Sequence, residues 1–197
     1  PMPGSAQLSF GKTIHKALQL FAEKYQTNPK KPNLKLLEQL YEESWIDEWY
    51  ADKKIKEEYR EAGKKMLHTF YDYLTSSKPN IKYIEADFKL NLGPYKFKGK
   101  VDRADWVADG LRIIDYKTGK SPKPKDKSGL DQLRIYQWAA QEAWQEKVNS
   151  LDYWYLKDND WVEVEPAKPE EIETLKTGLL GTIDEIRHAI QYDTFSE

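Results

Sequence analysis

The chain of 197 residues contains no cysteine and only two methionines. Without cysteine it cannot form a disulfide bond, a thiolate zinc site or a cysteine-ligated iron–sulfur cluster. No run approaches the roughly 20 apolar residues that a membrane-spanning helix needs, and no signal-peptide pattern begins the chain. We therefore expect a protein without a membrane partner and with a cytoplasmic location.

Net charge is nearly absent as well, because 31 Lys and Arg residues stand against 33 Asp and Glu residues, for a formal charge of −2. The net charge thus gives no support for nucleic-acid binding, and any basic surface must be local. The length fits a single domain over residues 1–197. Seven Trp and thirteen Tyr supply aromatic side chains that can line a groove as well as fill a core.

Hydrophobic periodicity predicts helices and strands in alternating groups. Ser9 is the expected N-cap of the first helix, and Pro169 suits the first turn of the last one. The predicted helices are 10–26, 34–50, 52–76, 129–147 and 169–192, and the predicted strands are 81–91, 95–107, 111–117, 151–156 and 161–165. Helices on both sides of a group of strands indicate an α/β (α+β) domain. The strands from 81 to 117 can form an antiparallel meander, and strand 151–156 can return parallel to an earlier strand.

The segment from residue 92 to 120 carries the strongest indication of function. Asp109-Gly110 lies between two runs rich in aromatic and β-branched residues, which predicts a two-residue hairpin turn. With that turn Asp102 faces Lys117, and Asp115 is two residues before Lys117 on the same strand. Residues at these positions share one face of a sheet. Two carboxylates there can bind one cation beside an ammonium group.

A simpler interpretation of these residues is a cross-strand ion pair, which contributes little to stability. Leu111, Ile113 and Ile114, however, make the second strand apolar on both faces, as in the interior of a sheet. A buried carboxylate needs a partner. One lysine cannot neutralise two carboxylates, whereas a divalent cation can.

Three blocks of sequence, GKVDRAD, IIDYKTG and QLRIYQ, resemble the RecB-like branch of the PD-(D/E)XK nuclease superfamily in their order and spacing. The resemblance extends from about residue 7 to 157. The opening PGSAQLSFGKTIHKAL is similar to the nuclease domain at the C-terminus of UvrD-type helicases. The resemblance implies a restriction-endonuclease-like mixed sheet flanked by helices, with a helical insertion over about 30–78. It also implies that the chain is one domain of a longer protein. Many RecB-like nucleases carry a four-cysteine iron–sulfur cluster, from which this sequence departs.

The resemblance assigns a role to each residue of the hairpin. Asp102 and Asp115 are the expected metal ligands, together with the backbone carbonyl of Tyr116, and oxygen donors favour Mg²⁺ or Mn²⁺. Lys117 would orient the attacking water and offset charge on the phosphate. Because a divalent cation makes water more acidic, it supplies a nucleophile near neutral pH. The expected reaction is phosphodiester hydrolysis.

Four further residues are candidates outside the hairpin. His15 matches a metal-ligating histidine of RecB-like proteins, although a lone histidine on a helix is often only a packing residue. Glu85 matches the family's strand glutamate, with Asp87 as a competing candidate on the same face. Gln132 and Tyr136 share one helical face, so Gln132 could orient water or phosphate and Tyr136 could contact DNA. Alternatively, this face only packs on the sheet.

A lysine-rich loop follows the third predicted strand. The stretch KSPKPKDKSG holds Lys120, Lys123, Lys125 and Lys127 against Asp126 alone. Such a run is often only a solvated loop, but beside a metal site it can contact phosphates.

Taken together, these residues predict a metal-dependent DNA nuclease domain. Its expected substrate is single-stranded DNA, supplied by a helicase motor in the parent chain, with a role in DNA repair or recombination. One alternative is a nuclease-like module that binds DNA without cutting it. Another is a structural domain that docks onto the helicase.

Overall fold

The computed structural model describes residues 4–30, 32–122 and 130–192. Within these residues five helices and five strands follow one another along the chain. They are α1 (Ala6–Thr27), α2 (Leu34–Glu43), α3 (Lys53–Ser77), β1 (Ile81–Leu92), β2 (Tyr95–Val107), β3 (Gly110–Lys117), α4 (Leu130–Ala143), β4 (Val148–Tyr155), β5 (Asp160–Val164) and α5 (Pro169–Tyr192). None of these helices has the length and apolar character needed to cross a bilayer.

The strands form one mixed sheet in the order β1-β2-β3-β4-β5. All neighbouring strands are antiparallel except β3 and β4, which are parallel and are connected through α4. The predicted meander and the predicted parallel return are both confirmed. The fold is therefore the expected α/β arrangement, a restriction-endonuclease-like mixed sheet flanked by helices.

Each face of the sheet is covered by helices. On one face α1, α2 and α3 form a layer over Ile114, Tyr116 and Trp154, all of which are buried. On the other face α4 covers Ile113 and Leu151, and α5 packs at the edge of the same core. The alternation of Ile113, Ile114 and their neighbours between two cores explains why β3 is apolar on both faces.

Three helix boundaries differ from the prediction. The first helix begins one turn earlier, because Ser5 rather than Ser9 is the N-cap and its side chain accepts the Leu8 N–H at 3.2 Å. Ser9 is buried inside the helix. The second helix ends at Glu43 instead of residue 50, since the following segment bends to stack Trp45 on Tyr50 with ring centroids 5.2 Å apart.

The crossover helix α4 ends at Ala143 rather than at residue 147. Gln145 adopts a left-handed φ of 57°, and the Glu146 N–H returns to the Ala140 carbonyl at 2.9 Å. This closure is typical of helix ends. It allows β4 to begin at Val148, three residues before the predicted start at 151.

The hairpin between β2 and β3 has a different turn from the predicted one. Val107 pairs with Gly110, so the two turn residues are Ala108 and Asp109, and the register is shifted by two residues. Gly110 belongs to β3, where a Cβ would lie 2.8 Å from the Lys147 carbonyl oxygen. The glycine therefore serves a close backbone approach and not the turn itself.

Candidate active site

Three acidic residues lie in a row across the first three strands. In the β1–β2 register Glu85 is opposite Asp102, and the regular pairing continues on both sides of these two residues. The β2–β3 ladder ends one step before Asp102 would meet Asp115. The register shift thus places Asp102 opposite Asp115 and not opposite Lys117. A shift of two residues keeps the same face, so the predicted grouping of these side chains survives.

Asp102 joins β2 to β3 through its side chain at the point where the ladder ends. Its Oδ2 accepts the Tyr116 N–H at 2.9 Å, and its Oδ1 lies 3.4 Å from His15 Nδ1. The carboxylate is therefore fixed between β3 and α1. The opening of the sheet at this point is what exposes the acidic row to the helix.

His15 projects from α1 into the opening. Its Nε2 lies 3.1 Å from the Tyr116 carbonyl oxygen, while Nδ1 faces Asp102. Burial lowers the pKa of His15, but the hydrogen bond and charge of Asp102, with the charges of Asp115 and Glu85, raise it overall to about 9. Since both ring nitrogens face acceptors, the geometry suits a protonated imidazolium. In the absence of metal, its positive charge lies beside the carboxylates that would bind a metal ion.

Glu85 completes a group of three possible metal ligands. One ligand atom each from His15, Glu85 and Asp102 lie within 4.8 Å of one another. Burial and the charge of Asp102 raise the pKa of Glu85. Glu85 also has a left-handed φ of 45°, a conformation that is strained for a side chain of this kind and is often found at functional sites. The competing Asp87 is 81% exposed and is not a member of this group.

Asp115 lies at the other side of Asp102, in contact with α4. Lys117 Nζ is 2.7 Å from Asp115 Oδ2 and donates a hydrogen bond to Gln132 Oε1 at 2.9 Å. Gln132 Nε2 in turn donates to Asp115 Oδ1 at 2.9 Å and to the Tyr136 hydroxyl at 2.8 Å. The expectation that Gln132 and Tyr136 reach the same site agrees with these contacts. Tyr136 is only 8% exposed and lies behind Gln132, so its contact with DNA stays a prediction.

The environment of Asp115 favours a further positive charge. Burial and the charge of Asp102 raise the pKa of Asp115 to about 6, although Lys117 acts in the opposite direction. Oδ2 is buried and meets no hydrogen-bond criterion, although the Lys117 ammonium lies 2.7 Å from it. Asp102 and Asp115 disfavour ionisation of each other, and a divalent cation offsets this repulsion.

The donor set fits a hard divalent metal. Carboxylate and carbonyl oxygens are the preferred ligands of Mg²⁺ and Mn²⁺, and one imidazole shifts the preference toward Mn²⁺. Asp102, Glu85 and His15 would hold such an ion, with Asp115 and the Tyr116 carbonyl at the adjoining edge of the site. Of these, only Glu85 was not among the metal ligands that the sequence predicted.

A mixed sheet between helical layers has an acidic row and a lysine at the point where the strands separate, an arrangement consistent with a nuclease-type fold. The family model of the PD-(D/E)XK nuclease superfamily matches residues 2–195. The chain belongs to this superfamily, whose members are generally metal-dependent nucleases. The family match does not distinguish the RecB-like branch.

Other comparisons add only distant similarity. A search of curated proteins finds no significant match. Among solved structures, the chain is similar to that of a protein named SSO0001, with 19% identity, a TM-score of 0.40, and coverage of 88% of this chain and 74% of the other. It is also similar to the protein VC1899 from Vibrio cholerae, with 16% identity, a TM-score of 0.25, and coverage of 89% and 52%.

The lysine-rich loop is described only in part. Lys120 is exposed after the end of β3, whereas Lys123, Lys125 and Lys127 lie outside the described residues. The phosphate-binding role of all four lysines stays a prediction.

Sequence reasoning missed one basic residue at the site. Lys100 Nζ lies 3.7 Å from Glu85 Oε2. Lys100 is two residues before Asp102 on β2, so strand alternation could have placed the two near one another. The irregular backbone at Glu85, by contrast, could not have been predicted, because no feature of the sequence marks it.

Proposed function

We propose that this domain is a divalent-metal-dependent deoxyribonuclease of the RecB-like exonuclease type. It would hydrolyse phosphodiester bonds in single-stranded DNA as part of a cytoplasmic helicase–nuclease that acts in DNA repair or recombination. The observation that carries the proposal is the convergence of His15, Glu85 and Asp102 on one point, directly beside the Asp115–Lys117 pair.

Each residue of the site would have a defined task. A divalent cation bound here would polarise the phosphate and make water a better nucleophile. Lys117 Nζ is held between Asp115 and Gln132, so its charge is positioned where negative charge develops on the phosphoryl oxygens. Gln132 fixes both Lys117 and Asp115 through its amide, and Tyr136 fixes the amide by accepting a hydrogen bond from it.

The second candidate is a nuclease-like domain that binds DNA or docks onto a helicase without cutting. Lys117 is 33% exposed, which leaves its ammonium accessible to a substrate. The intact group of Asp102, Asp115 and Lys117 therefore favours the active enzyme.

Digestion of an end-labelled single-stranded oligonucleotide, with EDTA or with Mn²⁺, tests the proposal. We expect cleavage only with the metal, and the length of the first products separates exonuclease from endonuclease action. Lys117→Ala should abolish cleavage, whereas the control Lys98→Ala removes an exposed lysine of the same sheet and should leave cleavage unchanged. No cleavage by the parent would favour the binding domain, and equal cleavage by parent and Lys117→Ala would exclude this site.

A further inference from the structure

The outer face of α1 forms one wall of a groove that leads to the acidic row. The groove has a volume of 460 Å³ and is lined by Leu8, Lys12 and Lys16 as well as by Glu85 and Asp102. Lys12 and Lys16 are three residues before and one residue after His15, so the two ammonium groups border the entrance to the candidate metal site.

These two lysines are available to an external anion. Both are exposed, and among the described residues neither forms an ion pair with a carboxylate. Lys16 donates a hydrogen bond to the neutral Gln19 at 3.1 Å. Two uncompensated cations at the rim of an anionic site attract a polyanion to a point from which one phosphate can reach the metal.

A second cavity lies at the N-terminal turn of α1. It has a volume of 710 Å³ and is lined by Trp49, Tyr59 and Lys157, and also by Gln7, which lines the first cavity as well. Both cavities therefore lie at the first turn of α1. The first carries Lys12 and Lys16, and the second carries Trp49 and Tyr59, with Lys157 and Glu58 as its charged residues.

Trp49 is unusual for both its exposure and its backbone. The side chain is 59% exposed, and the residue has a left-handed φ of 71°, which is a genuine outlier for a bulky residue. Its indole packs against Gly4, where a Cβ would lie 2.2 Å from Trp49 Cε2. Strained residues fixed by their neighbours occur at ligand-binding sites, and an exposed indole offers a surface on which an unpaired base can stack.

We propose that this groove binds the single-stranded DNA that enters the active site, with Lys12 and Lys16 on phosphates near the scissile bond and Trp49 stacked on a base. The inference rests on the proposed function and names the path of its substrate. His15 is eight positions after Gln7, which is about 12 Å along a helix. At about 3.4 Å per nucleotide, as in one strand of B-DNA, this corresponds to about three or four nucleotides.

Fluorescence anisotropy with labelled single-stranded DNA tests the path without requiring cleavage. All proteins carry Lys117→Ala and are measured in Mn²⁺ over a series of salt concentrations. Lys12→Ala/Lys16→Ala should reduce the slope of log K against log salt by about 1.4, since each phosphate that is no longer neutralised removes about 0.7. The control Lys24→Ala/Lys35→Ala removes two exposed lysines outside both cavities and should leave the slope unchanged.

Trp49 is tested in the same assay. Trp49→Ala should weaken binding by about 5- to 150-fold, the effect of removing one stacked base, and Trp49→Phe should recover much of it. Equal affinities for the Ala variant and its parent would contradict the stacking contact.

The outcome for the path is separable from the outcome for the proposed function. If the native domain cuts DNA but Lys12→Ala/Lys16→Ala and its control have equal salt slopes, the path is wrong and the function stands. If the native domain does not cut but the slope falls by the expected amount, the path is supported and the enzymatic proposal fails. Absence of binding by the Lys117→Ala protein would overturn the path.

Discussion

Replacement of Asp115 by asparagine should stabilise the metal-free protein near neutral pH. The Asp115 side chain is 3% exposed, and burial together with the charge of Asp102 raises its pKa from 3.8 to about 6. The folded protein thus binds this proton more tightly than the unfolded chain does. The stability of the parent therefore falls as the pH rises from about 3.8 through about 6, whereas a neutral side chain has no such dependence.

The difference between the pKa of Asp115 in the folded and unfolded protein sets the upper limit of the stability that Asp115→Asn can gain. A rise from 3.8 to about 6 corresponds to about 3 kcal/mol in the free energy of unfolding at pH 7. Asparagine can keep the hydrogen bond from Gln132 to Oδ1, and Lys117 is exposed enough to turn toward solvent. For a chain of this length, about 3 kcal/mol corresponds to an increase of about 6–12 °C in Tm. The gain should shrink as the pH is lowered toward 4.

Thermal melts in EDTA measure the stability of the metal-free proteins, and melts in Mn²⁺ measure the stabilisation that the metal adds. At a concentration of about 100 times Kd, Mn²⁺ should stabilise the parent by about 2.7 kcal/mol, and the variant should gain less because it has one charged ligand fewer. Asp105→Asn is the matched control, since Asp105 forms a buried ion pair with Arg103, which has no exposed side-chain surface. Leaving that arginine unpaired should cost about 3–5 kcal/mol.

The opposite result would refute the reasoning. If Asp115→Asn lowers Tm in EDTA as much as Asp105→Asn does, and Mn²⁺ leaves the parent unchanged, then Asp115 and Lys117 form a structural ion pair. In that case the metal site has no support from Asp115.

The sheet topology could be predicted because consecutive strands pair and a helix between two strands allows a parallel return. The grouping of the acids could be predicted because side chains along a strand alternate with a period of two. Asp102, Asp115 and Lys117 were placed on one face with the wrong pairing, and the error of two residues did not move any side chain to the other face. The predicted turn was wrong because glycine occurs both in tight turns and where two backbones approach closely, and the sequence does not distinguish these two roles. A glycine after aspartate signals a tight turn, but Gly110 is needed where β3 approaches the Lys147 carbonyl.

Local features that depend on distant contacts could not be predicted. The left-handed backbone of Glu85 belongs to an interruption of the sheet that no turn residue marks. The contact of His15 Nε2 with the Tyr116 carbonyl joins residues 101 positions apart. The end of α2 depends on aromatic packing between Trp45 and Tyr50. The helical periodicity of the sequence continues through Trp45, so it gives no sign that the helix ends earlier.

Three further experiments examine individual residues of the site. Lys117→Ala should abolish cleavage and largely retain Mn²⁺ binding in calorimetry, and loss of both would make the lysine structural. Neutralising the four lysines between 120 and 127 should lower the salt slope of DNA binding by about 0.7 for each phosphate that these lysines neutralise, whereas an unchanged slope would indicate a solvated loop. His15→Ala should bind Mn²⁺ more weakly and show reduced activity that excess metal partly restores. Because Asp102 and its neighbours raise the pKa of His15 to about 9, the imidazolium stabilises the metal-free protein fully below pH 6.5, and this stabilisation disappears as the pH rises through 9. A metal ligand must first lose that proton, so the Mn²⁺ affinity of the parent should rise with pH up to about 9, and the affinity of His15→Ala should rise less steeply. Equal affinities and equal pH profiles for the two proteins would show that His15 is not a ligand.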